Sequence, residues 1–92
     1  MPDSLYFRPG AILILNAGIP MWDQMPTTWE NAWKWKVTNK KTFVQLWEQI
    51  DTHPVTFWEI LKEGEVCFCS EALLRQYIDK SKTQQTLSSH NT

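Results

Sequence analysis

Apolar residues along this chain fall into short clusters separated by proline, glycine and polar residues, and the spacing inside each cluster predicts its element. Residues 5–15 read as extended, because Pro9 and Gly10 divide two short apolar segments. The run AILIL at 11–15 is unbroken, as in a strand buried on both faces, which predicts a central strand. The string NAGIPMWDQMP at 16–26 sets a glycine and two prolines around Met21, Trp22 and Met25, predicting a loop with apolar anchors. Thr27 followed three residues later by Glu30 forms a capping box, so a short helical turn is expected over 27–32. Trp33, Trp35 and Val37 then alternate with Lys34 and Lys36, which favours a strand over 33–37, although Trp29, Ala32, Trp33 and Val37 also recur at helical spacing and leave a helix as the alternative.

The second half reads as more helical. Phe43, Leu46, Trp47 and Ile50 recur at i, i+3, i+4 and i+7 behind a Thr42–Gln45 capping box, predicting a helix over 42–50. Pro54 suits a first helical position, and Phe57, Trp58 and Leu61 follow on one face until Gly64, predicting a second helix over 54–63. EVCFC at 65–69 is strand-like, and Ser70 caps a third helix with a stripe of Leu73, Leu74, Tyr77 and Ile78. From Lys80 onward the chain is polar and reads as a flexible tail. The expected fold is α+β: a single compact domain over 1–79, a small sheet packed on one face by two to three short helices, and a polar tail over 80–92.

Composition narrows the function classes. The chain has 92 residues, 42% of them hydrophobic, and six tryptophans, which suits one globular domain with more aromatic surface than a small core needs. Nine basic against ten acidic residues give a net charge of -1, so no global positive field favours nucleic acid. Lys34, Lys36, Lys40 and Lys41 form a local basic cluster that could take a small anionic ligand or an acidic protein surface. Cys67 and Cys69 lie too close for an unstrained disulfide, so free thiols and a cytoplasmic, reducing location are expected. AILIL is too short for a secretory or membrane segment, so no membrane partner is expected.

Trp47 and Trp58 fall on the apolar faces of the expected helices and are assigned to the core. Trp22, Trp29, Trp33 and Trp35 are harder to bury together and are the candidate binding residues, with Lys34 and Lys36 beside them. Alternation along a strand would turn those lysines away from the rings, against an aromatic platform for nucleotides. His53, Cys67, Cys69 and His90 have metal-ligand chemistry but no ligand spacing, so neither metal nor cofactor is expected. Glu48, Glu59, Glu63, Glu65 and Glu71 fall at outward helical positions or element ends, with no pair placed for acid/base chemistry.

Two short stretches, ILNAGI near the start and IDTHPVTFWEIL before Gly64, resemble viral ring nucleases that degrade cyclic oligoadenylates. That resemblance implies His53 as an acid at a helix start beside Thr56, and Asn16 as a ligand-lining residue. Thr52 stands where the family has a glycine, and the chain after Gly64 is short for its later strands and basic residues. Without the resemblance, His53 reads as a partly exposed imidazole before Pro54.

Three functions therefore stand as expectations. The first is a small non-enzymatic protein–protein interaction module, an inhibitor or adaptor of viral or mobile-element type, binding through an aromatic patch between Met21 and Trp35. The second is a nucleotide-binding protein or phosphodiesterase for a phosphate-rich, cyclic oligonucleotide-like ligand, using His53 and the lysine cluster. The third is a homo-oligomer that buries the patch against its own copy.

Overall fold

The computed structural model describes residues 6–79. It is built on β-strands. In chain order they are β1 (Ile12–Leu15), β2 (Pro20–Trp22), β3 (Trp35–Val37), β4 (Thr42–Asp51), β5 (Thr56–Lys62) and β6 (Glu65–Ser70). Two helices accompany them, α1 (Trp29–Ala32) between β2 and β3, and α2 (Glu71–Tyr77) after β6. The strands form one sheet in the order β1-β4-β5-β6-β2-β3, with every neighbouring pair antiparallel.

The α+β expectation of a small sheet under two to three helices is overturned. The segments 42–50 and 54–63, read as helices, are the long strands β4 and β5. Their helical spacing is a by-product of sheet faces that are both apolar. In β5, Trp58 and Ile60 point to one side while Phe57 and Leu61 point to the other, so apolar residues no longer alternate with polar ones. In β4 a bulge inserts Trp47 between Leu46, opposite Ile60, and Glu48, opposite Glu59. One extra residue shifts the period-2 pattern and leaves Phe43, Leu46, Trp47 and Ile50 at spacings that imitate a helix. Phe, Val, Trp and Ile favour a pleated surface, and the ladder prevails over the capping signal at Thr42.

Three local expectations also change. β1 is an edge strand rather than a central one, paired only with β4 inside the sheet. The loop expected over 16–26 contains β2, which joins β6 to β3. Trp47, assigned to the core, is 55% exposed, whereas Trp58 is 1% exposed as expected. The short helical turn before the third strand and the helix capped by Ser70 both occur, with Thr28 rather than Thr27 accepting from the Asn31 amide. The tail expected over 80–92 lies outside the described residues.

One face of the sheet carries the core. Leu13 and Leu15 of β1, Val44 and Leu46 of β4, Trp58 and Ile60 of β5, and Cys67 and Cys69 of β6 are buried there with Met21 of β2. Tyr6, Ile19, Leu74 of α2 and Ile78 complete this layer. The cover is pinned by polar contacts: the Trp58 indole N–H donates to Glu71 Oε1 at 2.8 Å, Arg75 Nη2 lies 2.8 Å from Glu71 Oε2, and the Arg75 guanidinium stacks 4.4 Å from the Phe7 ring centroid. At one end of the sheet the connections leaving β1 and β3 run together. Gly18, at φ +101°, donates its amide to the Thr38 carbonyl at 2.9 Å, and Thr38 donates its own to the Ile19 carbonyl at 3.0 Å.

Candidate functional site

Among the described residues the second face of the sheet carries a helix only at its β3 edge, where the four-residue α1 lies beside Trp22. Strand register identifies its members, since residues directly opposite share a face. They include Ile12 and Ile14, Phe43 and Ile50, Phe57 and Leu61, Val66 and Phe68, Trp22, and Trp35 and Val37. A half-solvated antiparallel sheet ordinarily shows polar residues on its wet side. Here the wet side is largely apolar from β1 to β3, with Gln45, Glu48 and Glu59 as polar members.

With strands about 4.8 Å apart and side chains repeating about every 6.7 Å along each strand, these apolar positions cover on the order of 350 Å² in projection. That is within the range for the largest apolar patches on soluble monomers. Phe43 is 66% exposed, while Phe57, Phe68 and Trp22 are half-buried.

The aromatic rings gather toward the β3 edge. Trp22 meets Phe57 edge-on at 5.9 Å and Trp35 at 6.3 Å, and Trp33 lies tilted against Trp35 at 6.1 Å. The Trp22 indole N–H donates to the Ala32 carbonyl at 3.3 Å, which ties the cluster to α1 and fixes the ring. Of the sequence-derived candidates, the fold therefore brings Trp22, Trp33 and Trp35 together. Trp29 stands apart on α1, 74% exposed. Lys36 is opposite Met21 and so points to the core side of the edge, with Nζ 3.6 Å from Asp23 Oδ2. Lys34 precedes β3 and lines a cavity of about 310 Å³ with Asp23, Asn31 and Lys36.

Residues that sequence reasoning passed over belong to the same face. Phe43 was assigned to a helix interior, and Phe57, Val66 and Phe68 were not singled out as binding residues. Glu48 and Glu59, read as outward positions on two separate helices, stand directly opposite one another. The available signal was the frequency of β-branched and aromatic residues in 42–50 and 54–63, which argues for strands.

The phosphate-ligand residues do not converge. His53 is in the β4–β5 turn rather than at a helix start, at φ +42°, with its amide donating to Asp51 Oδ1 at 3.0 Å. Lys40 and Lys41 precede the opposite end of the ten-residue β4, roughly 30 Å away. Asn16 is also at that far end, next to the Leu15–Thr42 pairing. Lys41 is engaged by Asp79 Oδ2 at 2.6 Å. A larger cavity of about 820 Å³ sets Lys36, Lys40 and Lys62 against Asp23, Glu63 and Glu65, a balanced lining that selects no ligand charge.

Cys67 and Cys69 are free, buried and on the core side. Cys69 Sγ donates to the Pro20 carbonyl at 3.4 Å. Burial pushes the Cys69 thiol up to about 12 and raises that of Cys67. Both are poor nucleophiles at neutral pH. No three His, Cys, Asp or Glu side chains are grouped to hold a metal ion among the described residues, and His90 lies outside them. No helix among the described residues is long and apolar enough to cross a membrane.

Comparison with known proteins yields no match to a family model, a curated protein or a solved structure.

Proposed function

We propose that this protein is a small non-enzymatic interaction module that docks a protein partner on the open face of its sheet. The observation carrying the reading is that the sheet is apolar on both sides and packed on one. Water against Ile12, Phe43, Val66, Trp35 and Val37 is unfavourable, and a partner removes it. The rings supply large contact area with few rotatable bonds, the character of interface anchors. Two free buried thiols fit the cytoplasmic location that we propose with it.

Photo-crosslinking tests the reading. A benzoylphenylalanine at Phe43, on the open face, is expected to capture a second protein in cells that produce the chain naturally. The same group at Glu63, in the β5–β6 turn, is expected to capture none. Equal capture at both sites, or none at Phe43, overturns the docking face. Capture of this chain alone replaces the partner by a homo-oligomer.

A further inference from the structure

A row of five residues crosses the open face at one level. Glu48 of β4 is opposite Glu59 of β5, Glu59 is opposite Phe68 of β6, Phe68 is opposite Trp22 of β2, and Trp22 is opposite Trp35 of β3. Two carboxylates thus stand side by side, with aromatic rings filling the rest of the row. Like charges directly opposite on neighbouring strands repel, and among the described residues no ion pair offsets them. No lysine, arginine or histidine occupies a strand position on this side, and the ion pairs at Asp23, Glu71 and Asp79 leave Glu48 and Glu59 out.

We infer that the partner presents a cationic side chain, best an arginine, over Phe68, between the Glu48–Glu59 pair and the Trp22–Trp35 rings. This rests on the docking reading above and adds the chemistry of the partner. Both ends of the row attract the same group. Carboxylates bind a guanidinium through paired charge-assisted hydrogen bonds, and aromatic faces attract cations through their quadrupole. A planar guanidinium can stack on a ring and donate to both carboxylates together, which an ammonium does less well.

The same charges disfavour other occupants. An anionic membrane or a nucleic acid would be repelled. A second copy would bring four carboxylates and no cation into one interface, leaving buried charge unpaired.

Two synthetic peptides test the inference, each with leucine and phenylalanine flanking a central residue. That residue is arginine in one and citrulline in the other, a neutral group of nearly the same shape. Binding is read from tryptophan fluorescence at low salt. The arginine peptide is expected to bind at least about tenfold more tightly. In Glu48→Gln/Glu59→Gln the two peptides should bind alike. Because these changes relieve repulsion on an exposed face, the variant is expected to fold, with its circular dichroism as the control. Equal affinity of the wild type for both peptides, or no binding of the arginine peptide, overturns the cationic partner. The Phe43 crosslink then decides separately whether the docking face also falls.

Discussion

Trp58 is held at both ends, with its ring beneath α2 and its indole N–H on Glu71. Trp58→Phe keeps most of the ring volume but leaves a small void and a carboxylate oxygen without its donor. The expected loss is about 1–3 kcal/mol in urea denaturation; a change under about 0.5 kcal/mol would show that the pin contributes nothing. The thiols give a second test at this scale. The Cys69 thiol ionises near 12 in the fold against an ordinary value of 9.0, so the folded state holds its proton more tightly than the unfolded state does. Its contribution is fully present below pH 9 and is lost as pH climbs from about 9 toward 12. Thermal melts of wild type and Cys69→Ala should therefore converge over that window, and parallel melting curves would refute the account.

At the scale of elements, β4 and β5 show how a ladder can carry a local penalty. Glu48 and Glu59 face each other across the two longest strands. Glu48→Gln/Glu59→Gln is expected to raise stability by a few tenths of a kcal/mol, read as a higher midpoint in urea. A lower midpoint would mean that an unseen cation already pairs with them. The bulge at Trp47 belongs to this scale too, because it lets Leu46 stay over Ile60 and Glu48 over Glu59 despite one extra residue. AILIL, β6 and the helix after Ser70 were legible in the sequence because each is a short run bounded by a clear stop. β4 and β5 were not, since apolar residues on both faces erase the alternation that marks a strand.

For the whole molecule, the imbalance between the two faces of the sheet is the main physical fact. Phe43 and Val66 sit on the open face with 66% and 46% of their surface exposed. Phe43→Thr with Val66→Thr places strand-favouring β-branched residues at both positions and removes apolar surface. Stability should change by less than about 1 kcal/mol for the pair, while binding of an apolar dye and capture by the Phe43-side partner both fall. If stability collapses instead, the face is packed rather than open. The candidate site was half legible: Trp22, Trp33 and Trp35 stood out by residue type and local spacing. Phe57, Phe68 and the glutamates lie over 25 residues away from Trp22 in the chain, and only pairing through β6 sets them beside it.

The sequence by itself determined the free thiols, the surplus of aromatic surface, the capped helix after Ser70 and the alternation at Trp35–Val37. These follow from composition and from neighbours within a few residues, where local sterics and hydrogen bonds act. The tertiary structure alone decided that 42–50 and 54–63 are strands, that β1 lies at an edge, and that Trp47 is outside while Trp58 is inside. It also set two carboxylates in line with a row of rings. Those outcomes depend on which strands pair and in what register, a choice made by burying one apolar face of a sheet whose two faces the chain alone does not distinguish.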